Sequence, residues 1–227
     1  MKKERAGSDV IELGVPFSDP LADGGTIQKA NTDALKNGVT LKDCLNYVKD
    51  ARSKGFKTPV VLMGYYNPFM QYGEENLVKE CKEVGVHGLI VVDLLFEEAK
   101  DLLSLCEKHS INFIPLIAPT STDDRIAKIA KIASGYVYCV SLTGVTGART
   151  ELPTDLKVFI SRVKKHISIP IAIGFGLSTR THYLSVGKLA DGAVMGSAIV
   201  KRAAMDGDDI SASAKRIEAF IKSVVSG

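Results

Sequence analysis

Short, continuously apolar runs recur along this chain and alternate with segments of helical periodicity. The runs occupy residues 10–13, 59–63, 88–92, 112–117, 136–140, 170–173 and 193–195. Parallel strands that are buried on both faces have such uninterrupted apolar sequences, whereas half-exposed antiparallel strands alternate apolar and polar residues. The alternation of these runs with helices therefore predicts an α/β protein with a parallel sheet and right-handed crossovers.

The intervening segments repeat apolar residues with the 3.6-residue period of an α-helix. In the clearest of them, Thr40 and Asp43 resemble a capping box at the helix start, and the pattern stops before Gly55. The apolar residues that set its period are Leu41, Cys44, Leu45 and Val48. Later helices are predicted around Cys81, Cys106, Ile129, Phe159 and Phe220.

Length and composition exclude several classes of protein. The 227 residues suffice for one barrel, and no Pro/Gly/Ser-rich linker divides them, so a single domain over 1–227 is expected. The net charge of +3 is spread along helices without a basic stripe, which argues against nucleic acid as a partner. No apolar run reaches the roughly 18 residues that span a membrane, and no secretory signal is evident. We expect a cytoplasmic protein, or a plastid protein if a targeting segment has been lost.

The cysteines and histidines do not suggest a metal or redox site. The four cysteines lack CxxC spacing and occupy apolar positions, as reduced core residues do. The four histidines are expected at helix ends or on helices, away from the C-terminal ends of strands. No metal site is predicted from these residues.

Polar residues or glycine-containing turns follow many of the predicted strand ends. These residues are Glu12, Asn67, Asp93, Ser141, Phe175, Gly176, Gly196 and Ser197. In a closed barrel they would converge on one C-terminal mouth, whereas an open sheet concentrates its ligand groups at one switch point. Alternation alone does not separate the two folds, but the spread of these residues over many strands favours the barrel.

Two carboxylates stand where a barrel enzyme would need them. Glu12 ends the first apolar run, and Asp23 lies in the loop that follows. A carboxylate at the end of a buried strand must be paired, solvated or used in chemistry, and two acids in different environments can serve as acid and base. The alternative is an ion-paired Glu12 and an Asp23 that only serves a turn.

Two glycine turns near the C-terminus predict a phosphate site. Gly174-Phe175-Gly176 and Gly196-Ser197 each close a strand and open a helix, where backbone amides can approach an anion. Turns after the last two strands match the standard phosphate site of a (β/α)8 barrel, although glycine also serves ordinary turns. The glycine-spaced loop over residues 141–150 is either a mobile lid or an ordinary surface loop.

Together these segments resemble the family of the tryptophan synthase α subunit and its free-standing relative, indole-3-glycerol-phosphate lyase. The most specific stretch is Glu12-Leu13-Gly14-Val15-Pro16-Phe17-Ser18-Asp19-Pro20-Leu21-Ala22-Asp23-Gly24. It is accompanied by Thr26-Ile27-Gln28, Met63-Gly64-Tyr65-Tyr66-Asn67-Pro68, Gly144-Val145-Thr146-Gly147 and Gly196-Ser197-Ala198-Ile199-Val200. The resemblance extends from about Ala6 to the C-terminus.

The resemblance implies a (β/α)8 TIM barrel that cleaves indole-3-glycerol phosphate to indole and glyceraldehyde 3-phosphate. Glu12 would be the general acid/base, and Asp23 would stabilise the positive charge that develops at the indole N–H. By the same resemblance Tyr138 and Met63 would line the indole pocket, with Leu62 and Tyr65 close by among the substrate-binding residues. Phe175, Gly176, Gly196 and Ser197 would surround the phosphate, and Thr146 and Gly147 would belong to the closing loop. The resemblance implies no organic cofactor.

The family also implies a pyridoxal-phosphate β subunit as a possible partner. Asp19-Pro20 and Asn67-Pro68 would lie on that contact face, although both dipeptides also form ordinary turns.

Three departures from the family pattern stand out. Relative to that pattern, the first strand and most of the first helix are expected to be absent. Gly25 stands where the family usually has proline, which would loosen the Asp23 loop. Leu94-Leu95-Phe96 replaces a segment that usually contains proline. These three apolar residues are either a patch that faces a partner or a poor cap for the following helix.

Two alternatives to a lyase stay open. The first is an incomplete, non-catalytic barrel that binds a β-like partner or a phosphate ligand. The second is an unrelated phosphate-binding barrel isomerase, which would explain the glycines but not the loop from Glu12 to Asp23.

Overall fold

The computed structural model of the chain describes residues 6–140, 154–174, 176–204 and 209–226. Within them, strand segments form two parallel four-stranded sheets, with the orders β1-β2-β3-β4 and β5-β6-β7-β8. The first sheet comprises β1 (Ile11–Gly14), β2 (Val60–Gly64), β3 (Gly88–Val91) and β4 (Asn112–Phe113). The second comprises β5 (Leu116–Ile117), β6 (Val137–Val140), β7 (Ile171–Gly174) and β8 (Gly192–Val194).

Helices separate most of these strands. Those of the first half are α1 (Gly25–Lys36), α2 (Leu41–Ser53), α3 (Tyr66–Tyr72), α4 (Glu74–Val84) and α5 (Lys100–His109). Those of the second half are α6 (Asp123–Ala130), α7 (Thr154–Lys164), α8 (Arg180–Val186), α9 (Ser197–Ala203) and α10 (Ile210–Val225). The chain divides into two compact units, Met1–Phe113 and Ile114–Gly227, and each is described by itself. The single domain expected from the sequence stays a prediction.

The predicted helix after Val39 is confirmed as α2, including its capping box. The Thr40 hydroxyl accepts from the backbone N–H of Asp43, while the Asp43 carboxylate accepts from the N–H of Thr40. These bonds satisfy donors that the first helical turn leaves free. The four periodic apolar residues of α2 are its buried ones, so the periodicity identified the face that packs against the unit.

The apolar run 112–117, predicted as one strand, contains two segments. β4 pairs with β3, and β5 pairs with β6. Between them lie Ile114 and Pro115, and Pro115 has no N–H to donate to a ladder, although its carbonyl accepts from the N–H of Tyr138 at 3.0 Å. The interruption therefore follows from proline chemistry.

Two helices of the first unit were not predicted. Helix α1 was missed although Ile27, Ala30 and Ala34 recur at helical spacing, and none of its residues is fully buried. Helix α3 contains Asn67-Pro68, which the sequence suggested as a turn. Pro68 lies in the first turn of α3, where the missing N–H would have no intrahelical partner in any case.

Side chains fix the last helix of the second unit. Arg180 of α8 donates to the carbonyls of Val224 and Val225 at 2.8 and 2.9 Å, at the C-terminus of α10. The guanidinium of Arg202 on α9 lies 3.7 Å from the ring centroid of Phe220. A cation beside the last carbonyls complements the helix dipole, and the Arg–Phe contact anchors α10 to its neighbour.

Cys44, Cys81, Cys106 and Cys139 are buried free thiols, as expected for core residues. Burial raises the pKa of Cys44 to about 11, so its thiol stays protonated at neutral pH. Among the described residues, none of the helices is both long and apolar enough to cross a membrane.

Candidate active site

The prediction that Glu12 ends the first strand is wrong, because β1 continues to Gly14 and Glu12 is its second residue, half-buried within the strand. In a parallel pair, residues in register point to the same face, and alternate residues of one strand share a face. Glu12 is in register with Val61 and Gly14 with Met63, so Glu12 and Met63 lie on the same face of the first sheet. Leu62 lies on the opposite face and is fully buried.

The same register identifies a residue that the sequence interpretation missed. Ile90 of β3 is paired with Met63 and therefore shares its face, and it too is fully buried. An isoleucine within a continuously apolar run has no distinguishing signal in the sequence. Only the register of β1, β2 and β3 separates Ile90 from Leu89 and Val91, which point the other way.

Asp23 lies in the loop between β1 and α1 and is held by several polar contacts. Its carboxylate accepts from the hydroxyl of Tyr65 at 3.1 Å, and that hydroxyl accepts from the N–H of Ala22 at 2.9 Å. The backbone carbonyl of Asp23 accepts from the Gln28 side chain at 2.9 Å. The side chain and backbone of this residue are therefore both fixed on the first unit.

Burial raises the pKa of the Asp23 carboxyl above its usual value, while the hydrogen bond from Tyr65 acts in the opposite direction. Burial likewise raises the pKa of Tyr65 to about 12, so its hydroxyl keeps its proton and donates. The pair thus combines a carboxylate that is partly removed from water with a neutral donor that orients it.

The sequence predicted Tyr65 close to the indole pocket, and the structure shows that Tyr65 also lies where its own backbone is fixed by a neighbouring contact. Tyr65 is buried at the junction of β2 and α3, where it precedes the first helical residue. The next residue, Tyr66, donates its N–H to the carboxylate of Asp93 at 2.7 Å. Asp93, which the sequence only marked as polar at a strand end, therefore fixes the backbone beside Tyr65.

Tyr138 lies on β6 in the second unit, against a glycine of the neighbouring strand. A Cβ atom added to Gly174 of β7 would lie 1.9 Å from the Tyr138 hydroxyl oxygen and 2.3 Å from Cζ. No side chain can occupy that space, so glycine at position 174 is what allows the Tyr138 ring to lie across the sheet face. The sequence interpretation assigned Gly174 to a turn and missed this packing role.

The predicted phosphate turns follow β7 and β8. Gly176 has φ +70, a conformation that favours glycine, and is exposed. Gly196 is the N-cap of α9 and Ser197 its first residue, and both are exposed. A Cβ added to Gly196 would meet nothing within 4 Å. Phe175 lies outside the described residues.

His182 borders the first of these turns. His182 lies on a helix, as predicted, and its Nδ1 accepts from the N–H of Ser178 at 3.3 Å. His182 is buried on α8, and the cap of that helix by Thr179 brings the ring back toward the turn. The histidine fixes the backbone that follows Gly176.

Thr146 and Gly147, and the whole predicted lid over residues 141–150, lie outside the described residues. In the parts of the chain that the structure describes, no group of three His, Cys, Asp or Glu side chains is arranged to hold a metal ion.

Comparison with known proteins identifies the family. The sequence model described as tryptophan synthase alpha chain matches residues 2–226. The chain belongs to the tryptophan synthase alpha chain family. The alpha chain of Roseiflexus sp. (strain RS-1) is 49% identical over 197 residues, which cover 87% of this chain and 76% of that protein. The alpha chain of Halalkalibacterium halodurans is 44% identical over 229 residues, covering 98% of this chain and 86% of the relative.

Solved structures agree with the sequence relatives. A chain from the tryptophan synthase a2b2 complex of Pyrococcus furiosus matches with a TM-score of 0.89 and 39% identity, covering 96% of this chain and 87% of that one. The resemblance seen in the sequence and the (β/α)8 fold class are thereby confirmed. The roles of the individual site residues, and the absence of a first strand relative to the family pattern, stay predictions.

Proposed function

We propose that this chain is a carbon–carbon lyase that cleaves indole-3-glycerol phosphate to indole and glyceraldehyde 3-phosphate. Membership of the tryptophan synthase alpha chain family supports the reaction class. The observation that carries the assignment to residues is the Asp23–Tyr65 hydrogen bond, which holds a half-buried carboxylate in the loop after the strand of Glu12. A turn-forming aspartate would not need a buried phenol as its donor.

The proposed reaction is a retro-aldol cleavage with two proton transfers. A proton is added to C3 of the indole ring, which leaves positive charge at the ring nitrogen. Removal of the proton from the side-chain hydroxyl then forms the aldehyde C=O, while the electrons of the breaking C–C bond return to the ring and neutralise the nitrogen. The ring itself accepts the electron pair, so the scheme requires no metal and no organic cofactor.

In this scheme Glu12 is the general acid/base, and Asp23 stabilises the positive ring nitrogen. Glu12 emerges from β1 on the face of Met63, and the apolar side chains there suit an indole ring. Asp23 must be ionised to act, and the hydrogen bond from Tyr65 favours the charged form against the effect of burial. The proposal thus gives separate roles to two carboxylates, one within strand β1 and one in the following loop beside Tyr65.

Tyr138 is proposed to line the indole pocket, and the turns that contain Phe175, Gly176, Gly196 and Ser197 to bind the phosphate. Support for the turns comes from two exposed glycines, at one of which the backbone has a positive φ. Thr146 and Gly147 are proposed to belong to a closing loop. A tryptophan synthase β subunit is the proposed partner, since the matched Pyrococcus chain comes from an a2b2 complex. A cytoplasmic location stays a prediction.

The first test is indole release from indole-3-glycerol phosphate by the purified chain, with and without a tryptophan synthase β subunit. We expect turnover in at least one of the two conditions. The absence of turnover in both, with folded protein, would instead favour the non-catalytic barrel.

The second test is Glu12→Gln, with the exposed Glu83→Gln on α4 as the matched control. Turnover should be lost in Glu12→Gln while binding of an indolyl-propyl phosphate analogue stays within about tenfold, because the phosphate contacts are unchanged. Glu83→Gln should alter neither quantity. Loss of analogue binding in Glu12→Gln would show that Glu12 is structural.

A further inference from the structure

Asn31 links helix α1 to the loop that carries Asp23. The Asn31 side-chain Oδ1 accepts from the N–H of Phe17 at 2.9 Å, and its Nδ2 donates to the carbonyl of Ile27 at 3.0 Å. The first partner can only donate and the second can only accept, so the two bonds together determine the orientation of the carboxamide. The side chain therefore fixes the start of the loop in one position.

The Phe17 ring packs against the Tyr65 ring, so the position of Phe17 restrains that of Tyr65. The two rings lie 5.2 Å apart between centroids with an interplanar angle of 32°, a contact distance typical of packed aromatic pairs. Tyr65 in turn donates to the Asp23 carboxylate and accepts from the N–H of Ala22. The loop is thus held near its beginning by Asn31 and near its end by Tyr65, with the Phe17 ring between them.

Polar contacts are the means by which α1 is tied to this loop. The helix has no fully buried residue, so apolar packing fixes its position less firmly than it fixes α2. Its contacts with the loop include those of Asn31 to Phe17 and Gln28 to the carbonyl of Asp23. Asparagine is also a poorer helix former than alanine, so a residue of no consequence at position 31 would be improved by Asn31→Ala.

We propose that Asn31 is a positioning residue for the lyase reaction, which places the Asp23 carboxylate by fixing the Phe17 end of the loop. This inference rests on the proposed function for its effect on turnover. Asn31 does not touch the reacting atoms in this scheme, because it acts through Phe17 and Tyr65. A displacement of the loop by about 1 Å is enough to reduce turnover by one or two orders of magnitude.

The test compares Asn31→Ala and Asn31→Asp with Asn37→Ala. Asn37 is a matched control: it is the exposed C-cap of α1, and its Nδ2 makes the same kind of bond, to the carbonyl of Asp33 at 2.8 Å. We expect Asn31→Ala to lower kcat/KM for indole release about tenfold, mainly through kcat. Asn31→Asp keeps an acceptor for Phe17 and should stay within about threefold, and Asn37→Ala should be unchanged.

A second measurement does not depend on turnover. In the free chain, NMR titration of the Asp23 carboxyl should give a higher midpoint pH in Asn31→Ala, because the donor bond from Tyr65 is loosened. The midpoint should be unchanged in Asn37→Ala. If the native chain shows no turnover but this shift is present, the proposed function fails and the positioning role of Asn31 stands. An unchanged titration in Asn31→Ala would overturn the inference, whatever the activity.

Discussion

The Asp23 loop of the first unit and the two glycine turns of the second unit are both candidate ligand regions, but they are fixed in different ways. Side chains hold the loop, because the Tyr65 hydroxyl donates to the Asp23 carboxylate and the Asn31 side chain accepts from the backbone N–H of Phe17. The turns instead depend on small residues, with Gly176 and Gly196 exposed. A carboxylate that acts in chemistry needs an exact orientation and a controlled pKa, whereas an anion needs backbone amides that nothing obstructs. Substitutions should therefore alter turnover and its pH dependence in the loop, and ligand affinity in the turns.

The largest effect is expected from a substitution of Gly174 in the second unit, where there is no room for a side chain. Gly174→Ala would place Cβ within 1.9 Å of the Tyr138 hydroxyl, so the ring or β7 must move. We expect a loss of about 2–3 kcal/mol in the free energy of unfolding, measured by chemical denaturation. In a Tyr138→Ala background the same substitution should cost less than about 1 kcal/mol, because the clash is gone. Equal losses in both backgrounds would contradict the packing role of Gly174.

Gly196→Val tests whether the glycine turns determine the affinity for a phosphate ligand without contributing to the stability of the free protein. A Cβ at Gly196 meets nothing within 4 Å, so the free protein should keep its melting temperature. The added side chain would obstruct a bound phosphate, and the Kd of the indolyl-propyl phosphate analogue should rise about tenfold, or about 1.4 kcal/mol. Ala203→Val, at the exposed far end of the same helix, is the control. Unchanged affinity in Gly196→Val would remove this turn from the phosphate site.

Tyr65→Phe tests whether the loop acts on the chemistry. The Asp23 carboxylate would lose its donor while burial stays, so the pKa of Asp23 should rise further above its usual value. In the proposed scheme turnover requires ionised Asp23 and is lost as pH falls through that pKa, so the acid limb of the kcat profile should move to higher pH. At neutral pH we expect a decrease in kcat of about threefold to tenfold, as for the loss of one hydrogen bond.

Tyr66→Phe is the matched control for this experiment. It removes a hydroxyl that donates to the Glu74 carboxylate at 2.9 Å, next in sequence but outside the loop. Its pH profile should match that of the native chain. An acid limb that moves equally in both variants would mean that the Tyr65 hydroxyl does not act through Asp23.

The smallest effect is expected from substitutions of Gly25, at the end of the Asp23 loop. Gly25 is the first residue of α1, and Gly24 before it has φ −77 and ψ 162, which is compatible with a following proline. Gly25→Pro should therefore raise the free energy of unfolding by about 0.4–1 kcal/mol, by restricting the unfolded chain. Gly25→Ala should give a smaller gain in the same denaturation experiment. A destabilised Gly25→Pro would show that the loop needs the freedom of glycine.

Much of the fold could be predicted from local pattern. The continuous apolar runs identified parallel strands, and the Thr40–Asp43 capping box identified the start of α2 to the residue. Helices that bury an apolar face were found by their period, whereas α1, which buries no residue, was not. The break between β4 and β5 at Pro115 was also missed, since a proline in an apolar run does not by itself show whether a strand continues.

The sequence by itself determined the family and the α/β class, because these depend on motifs within single segments and on the alternation of apolar runs with helices; it also singled out Glu12 and Asp23 as candidate acids, whose roles stay a prediction. Only the tertiary structure decided that the hydroxyl of Tyr65 meets Asp23, that Ile90 shares a face with Met63, and that Gly174 makes room for Tyr138. Each of these depends on the register between strands or on the path of a loop. Those features are set by packing among residues far apart in the chain, which no local pattern encodes.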